Sequence, residues 1–225
     1  MYKLIFIFII LCSTCFCQSI EEEYKACAVE HYNLKDYDGC IEFFTRIIKL
    51  NPKNIETYFD RAMVKEIKGD YFGAIEDFTT CILIDSTSAD NYFLRAIVRE
   101  KTNDYKGAMA DYNSTIKYEY KNADAHYYRG KIFESKKFYK KALLDYNRTI
   151  SINPLHEKAY SSRAFLKIKL NDLKGALHDC DKAIKSDSAN PQLYYTRAQL
   201  KIKLNKKESA FLDLKKYSEL STIHH

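Results

Sequence analysis

An arginine and an aspartate sixteen residues apart recur five times along the chain: Arg61 with Asp77, Arg95 with Asp111, Arg129 with Asp145, Arg163 with Asp179 and Arg197 with Asp213. Two kinds of chemistry are open to such residues. Acid–base catalysis needs a positioned proton acceptor or donor, and glycosidic cleavage needs two carboxylates converging on one cleft. A pair repeated at 34-residue intervals spreads its carboxylates along the chain instead. The planar guanidinium fork matches a carboxylate through two parallel N–H···O bonds, so a structural ion pair is the expected role. The rest of the sequence offers no nucleophile with a positioned base. It contains no phosphate-cradling Gly-rich loop, no G-x-S-x-G and no His-Glu-x-x-His. A non-enzyme without cofactor or metal is expected. In the run His178-Asp-Cys-Asp181 a helical spacing sets Cys180 inward and His178 outward, which argues against a metal cluster. His224 and His225 form a terminal pair that could catch a stray transition metal without implying function.

The elements that must hold these pairs follow from the same period. From Glu21 to His224 the chain divides into six blocks of 34 residues (21–54, 55–88, 89–122, 123–156, 157–190 and 191–224) without insertion or deletion. Position 4 reads Tyr24, Tyr58, Tyr92, His126, Tyr160 and Tyr194, and position 8 reads Ala28, Ala62, Ala96, Gly130, Ala164 and Ala198. Position 20 reads Cys40, Ala74, Ala108, Ala142, Ala176 and Ala210, and position 24 reads Phe44, Phe78, Tyr112, Tyr146, Cys180 and Leu214. Positions 4, 8 and 11 share one face of a first helix, and positions 20, 24, 27 and 28 one face of a second. Small residues at 8 and 20 let the two helices approach closely. Polar triplets such as Gly69-Asp-Tyr71 supply the turn and the start of the second helix.

These six in-phase blocks resemble the tetratricopeptide repeat over the whole chain beyond the first twenty residues. The resemblance implies an all-α, right-handed superhelix of six helix-turn-helix repeats, each too thin to bury its stripe alone. The family usually has Leu-Gly at positions 7 and 8, whereas blocks two to six have Arg at 7 and Asp at 23. Block one departs at both, with Cys27 and Phe43. Pairing inside a block satisfies all five pairs; pairing each Asp with the next block's Arg strands Arg61 and Asp213. The first is expected. Cys27 and Cys40 fall on facing helices of block one, where either a disulfide or two small buried hydrophobes would fit.

The resemblance also implies a concave face built by the first helices, with positions 2, 5, 9, 12 and 13 holding partners. At position 5 this chain has Phe59, Phe93, Tyr127 and Tyr195; at position 9 it has Met63, Ile97, Lys131 and Phe165. An apolar track of this kind marks a partner site. Glu66, Glu100 and Glu134 at position 12, with acids at position 2, make the first four blocks acidic, so a bound segment is expected to carry a basic portion. The Lys and Asn carboxylate clamp by which some relatives hold a chaperone tail is absent: Lys25 and Val29 are followed by Asp60, Asp90 and Leu94. The expected function is a protein-interaction scaffold in a bacterial envelope assembly. A carbohydrate binder using the groove aromatics, among them Tyr127 and Tyr195, is the alternative.

The net charge of +6 is spread out, with no basic arm for nucleic acid. Six Gly and three Pro favour helices over strands and turns. Residues 1–17, "MYKLIFIFIILCSTCFC", have one Lys ahead of an apolar run too short for a comfortable membrane span. They suit a secretory signal cut before Gln18 and predict an exported protein, periplasmic or secreted. A lipid anchor at Cys15, the only route to membrane contact, has a poor recognition box in Cys12-Ser-Thr. Asn113-Ser-Thr and Asn147-Arg-Thr match glycosylation acceptors.

Overall fold

A computed structural model describes residues 20–222; the leader-like residues 1–17 and the two terminal histidines lie outside them. Every regular element among the described residues is an α-helix. Two compact units divide the chain, Met1–Tyr118 and Glu119–His225. The first contains α1 (described over 20–33), α2 (Tyr37–Leu50), α3 (Ile55–Lys68), α4 (Tyr71–Ile84), α5 (Ala89–Lys101) and α6 (Tyr105–Tyr118). The second contains α7 (Ala123–Ser135), α8 (Tyr139–Ile152), α9 (Glu157–Lys169), α10 (Leu173–Ser186), α11 (Pro191–Lys203) and α12 (Lys207–Thr222). Within each unit a helix packs on its sequence neighbours, so each unit is a stack of helical hairpins. No helix among the described residues is long and apolar enough to cross a membrane.

One turn recipe closes all six hairpins. Position 15 of each block lies in the left-handed region: Lys35, Gly69, Asn103, Lys137, Asn171 and Asn205, with φ between 59° and 90°. Around it the backbone makes the paired bonds of a Schellman motif, as where Asp172 N–H donates to Lys167 O at 2.8 Å and Asn171 N–H to Ile168 O at 3.0 Å. The next residue caps the second helix. Asp36, Asp70, Asp104 and Asp172 each accept from the amide of a glycine three residues on, at 2.9–3.0 Å. Those glycines are needed. A Cβ at Gly73, Gly107 or Gly175 would lie 2.1–2.2 Å from the capping carboxylate.

The small residues at positions 8 and 20 are fully buried, and Phe78, Tyr112 and Tyr146 at position 24 fill the space beside them. The inner face of the first helix differs from the expected stripe. Position 10 is buried throughout blocks two to six (Val64, Val98, Ile132, Leu166, Leu200), whereas position 11 carries Lys65, Arg99, Lys167 or Lys201, with Phe133 alone apolar. Helical spacing put position 11 on the apolar side. The structure instead buries position 10 and sets the position-11 cations at the polar edge of the contact, on the block's own aspartate.

Candidate functional site

The Arg–Asp pairs close inside each block. From Arg61 to Arg197, Nε and Nη2 donate to the two oxygens of the block's own aspartate at 2.6–2.9 Å. The aspartates are at most 5% exposed. Each guanidinium is held by two parallel charge-assisted bonds in a largely dry seam, the geometry in which loss of one partner is costly.

Three further contacts surround this fork. The cation at position 11 takes the aspartate's second face: Lys65 to Asp77 at 2.8 Å, Arg99 to Asp111 at 2.7 Å, Lys167 to Asp179 at 2.9 Å and Lys201 to Asp213 at 2.8 Å. The tyrosine at position 4 lies against the guanidinium, with ring centroids 5.5–5.7 Å from Cζ in the pairs Tyr58–Arg61, Tyr92–Arg95, Tyr160–Arg163 and Tyr194–Arg197. The remaining nitrogen reaches back to position 25 of the preceding block: Arg61 to Thr45, Arg95 to Thr79, Arg163 to Asn147 and Arg197 to Asp181, at 2.6–2.9 Å. The arginine therefore ties its own hairpin together and also pins it to the one before. The sequence carried the signals, a cation at position 11 in four of five blocks and a polar residue at position 25 in each. Reading one helix face at a time does not join them. Asn147, one of the two glycosylation matches, spends its side-chain oxygen on Arg163.

Block four departs from this plan. Phe133 at position 11 cannot pair with Asp145, and His126 at position 4 brings Nδ1 to 3.4 Å from that carboxylate instead. Burial pushes the Asp145 carboxyl up, but hydrogen bonds from Arg129 and His126 outweigh it and hold the group below the usual carboxylate range. Asp213 is lowered in the same way by Arg197 and Lys201.

The groove residues are less uniform than their sequence positions suggest. Phe59 packs edge-on against Phe78, Phe93 lies against Tyr112, and Met63 and Ile97 are half-buried. Tyr127 is only 7% exposed, between Tyr146 and His156, so it offers no stacking platform. Lys131 is exposed. Glu66 pairs with Lys101, and Glu134 accepts from Lys169 at 3.0 Å and from Tyr146 Oη at 2.8 Å. Lys25 similarly covers Glu56 at 2.7 Å. Cations of the following or preceding block thus neutralise much of the charge expected to make the early blocks acidic. Glu100 accepts from Tyr112 Oη at 2.5 Å, and no cation pairs with it or with Asp90 among the described residues.

The open apolar surface lies farther along. Phe165 and Ile168 on α9, with Tyr195, Thr196 and Leu200 on α11, line a cavity of about 230 Å³ whose rim carries Gln192, Gln199 and Lys203. Phe165 and Tyr195 remain 42% and 38% exposed, large apolar surfaces left facing water. Cys27 and Cys40 are free thiols rather than a disulfide, and burial pushes the Cys40 thiol up to about 11. In the His178–Asp181 run Cys180 is buried and His178 exposed.

Paired helices with a left-handed turn residue at a fixed position and small buried residues at 8 and 20 decide the architecture. The fold is that of tetratricopeptide repeats. The tetratricopeptide repeat family model matches residues 28–54, within the first block. No curated protein sequence matches the chain. Among solved structures it is similar to MamA, at 24% identity over 76% of this chain and 93% of that one, with a TM-score of 0.69. It is also similar to YrrB, described as a tetratricopeptide protein with an unusual peptide-binding site, at 19% identity over 80% and 93% with a TM-score of 0.66. PilW, described as a widely conserved type IV pilus biogenesis factor, matches at 16% identity over 92% and 99% with a TM-score of 0.69.

Proposed function

We propose that this tetratricopeptide chain is a non-catalytic scaffold that holds a polypeptide segment against its first helices, with an apolar side chain of the partner seated between α9 and α11. The observation that carries the reading is the apolar cavity walled by Phe165, Ile168, Tyr195 and Leu200. It is open and nearly free of polar atoms, and filling it with a leucine- or phenylalanine-sized side chain would contribute about 1.5–3 kcal/mol. Lys203 at its rim suits a partner backbone carbonyl or carboxylate. In block three the uncovered acids Asp90 and Glu100 are the places for a basic portion of the partner. The likeness to YrrB supports peptide binding as the mode.

Export rests on the leader-like residues 1–17, and a role in a bacterial envelope assembly on that leader together with the likeness to PilW. The glycan alternative loses one of its platforms with the burial of Tyr127.

Photocrosslinking tests the reading. A photoreactive residue at Tyr195, in cells making the full chain, should give a discrete polypeptide adduct, and the same residue at Leu83, an exposed position on α4, should not. Phe165→Asp should weaken the Tyr195 adduct about tenfold or more, the loss expected when an apolar anchor meets a charge. An adduct unchanged by Phe165→Asp would overturn the proposal.

A further inference from the structure

Block four departs from the repeat at four positions, two of them (16 and 19) also altered in block six, and three of the departures, His126, Phe133 and Lys141, line one cavity. Where other blocks have tyrosine at position 4 it has His126, and where blocks two, three, five and six have a cation at position 11 it has Phe133. At position 16 Phe138 replaces the capping aspartate, and at position 19 Lys141 replaces glycine. The last two changes belong together. With the capping carboxylate present a Cβ at position 19 collides with it, as at Gly175, so losing the aspartate is what admits a lysine. Phe133 also fails to do what position 11 does elsewhere. Lys65, Lys167 and Lys201 each cross to their aspartate and donate to the backbone carbonyl at position 19, at 3.2–3.4 Å.

The result is a cavity of about 490 Å³ at the edge of the α7–α8 hairpin, within the size range of ligand sites. Phe133 and Leu144 give it apolar walls, and Leu144 is 70% exposed. Arg129, Lys141 and Arg148 face it against one carboxylate, Asp145, which Arg129 already engages, so the lining carries a surplus of two positive charges. Lys141 Nζ sits 5.4 Å from the Phe133 ring centroid and 5.6 Å from that of Phe138, and Arg148 lies over Tyr120. Neither Lys141 nor Arg148 pairs with an acid among the described residues. They stand seven residues apart on one helix face, about 10 Å along the axis. A segment in the polyproline-II conformation, with three residues per turn and about 3.1 Å of rise each, sets side chains three apart on one face about 9 Å from each other.

We propose that this cavity is a second binding site, for a polypeptide segment in which two acidic residues about three apart flank a large apolar side chain. The acids pair with Lys141 and Arg148, and the apolar side chain rests on Phe133 and Leu144. The site does not share the groove. Positions 4, 7 and 11 of the first helix lie roughly a third of a turn from positions 5, 9 and 12, so both can be filled at once.

The experiment is titration of the full chain, ¹⁵N-labelled, with acetyl-Glu-Phe-Ala-Glu-amide, acetyl-Gln-Phe-Ala-Gln-amide and inorganic phosphate in separate arms. The acidic peptide should shift the amides of Lys141, Leu144 and Arg148 saturably, and the neutral peptide and phosphate should not. The Lys141→Ala/Arg148→Ala variant, altered only at exposed side chains, should bind about tenfold more weakly or worse with an unchanged helical spectrum. Phe133→Lys, which restores the cation that the neighbouring blocks carry, should close the site. Phe165→Asp in the groove should leave it intact, which separates failure here from failure of the groove reading. Equal shifts with the neutral peptide, shifts with phosphate matching those of the peptide, or full affinity in the double variant would each overturn the proposal.

Discussion

Blocks four and five give the same Arg–Asp fork different surroundings. In block five Asp179 is completely buried and takes Arg163 on one side and Lys167 on the other, while Asp172 caps the next helix over Gly175. In block four Asp145 keeps its fork to Arg129, but its second neighbour is His126, charged only when protonated, and the cap is gone. The fork is the constant of the repeat. What varies is the second cation, and where Phe133 replaces it the hairpin edge carries a cavity lined by Arg129, Arg148 and the newly admitted Lys141. A solenoid built from one hairpin can thus acquire a local site by dropping a structural contact in a single repeat.

The sharpest way to break this comparison is to remove the two aspartates separately. Asp179→Ala leaves Arg163 and Lys167, 14% and 19% exposed, facing each other with no anion between them. It should cost about 3–5 kcal/mol. Asp145→Ala strands one permanent cation, at 20% exposure beside an open cavity that admits water, and should cost about 1–3 kcal/mol. Urea unfolding followed by tyrosine fluorescence measures both, since the chain has nineteen tyrosines and no tryptophan. Equal costs would mean that the second cation contributes nothing and that the difference between the blocks is cosmetic.

Acid sharpens the same contrast with a smaller effect. Asp145 and Asp213 have folded-state values below those of an unfolded carboxylate: burial raises both, but hydrogen bonds from Arg129 and His126 outweigh it at Asp145, and those from Arg197 and Lys201 outweigh it at Asp213. A depressed carboxylate contributes its stability in full above the unfolded value of about 3.9 and loses it as pH falls through the folded value. Stability should therefore hold near neutrality and decline as pH falls below about 4. Asp145→Asn, which removes one titrating group, should show a shallower decline than the native chain. Parallel declines would mean that Asp145 is not among the groups that drive acid unfolding.

Much of this was legible in the sequence, though unevenly. The period, the small residues at positions 8 and 20, the turn and the within-block pairing all follow from residues that recur in phase, because each answers a local steric or charge requirement. The second cation was misread. Positions 4, 8 and 11 share a face by spacing alone, yet Lys65, Arg99, Lys167 and Lys201 are poor stripe residues, and only the packed hairpin shows that they reach the aspartate. Tyr127 was misplaced for a related reason. Position 5 faces the groove in principle, but in block four it turns against Tyr146 and His156, a contact that depends on the neighbouring hairpin. The block-four cavity left a trace in four exceptions to the repeat, and their meaning needed their positions in space.

The smallest effect lies in the turns of the same two blocks. Lys137 and Asn171 occupy equivalent left-handed positions, at φ 61° and 62°, and both amides donate back to the preceding helix at 2.9 and 3.0 Å. Lysine has a Cβ that crowds the carbonyl in this region and no short polar group to offset it, whereas asparagine tolerates it. Lys137→Asn should therefore stabilise the chain by about 0.5–1 kcal/mol, and Asn171→Lys should destabilise it by a similar amount. Both side chains are exposed, so neither change disturbs a packed contact, and the shift in urea midpoint reports backbone strain directly. If Asn171→Lys carries the cost while Lys137→Asn gains nothing, then the lysine is already accommodated in block four. Lys35 holds the same left-handed position in block one, at φ 59°, with the cap from Asp36 to Gly39 intact, so the accommodation would lie in the turn itself rather than in the loss of the cap at Phe138.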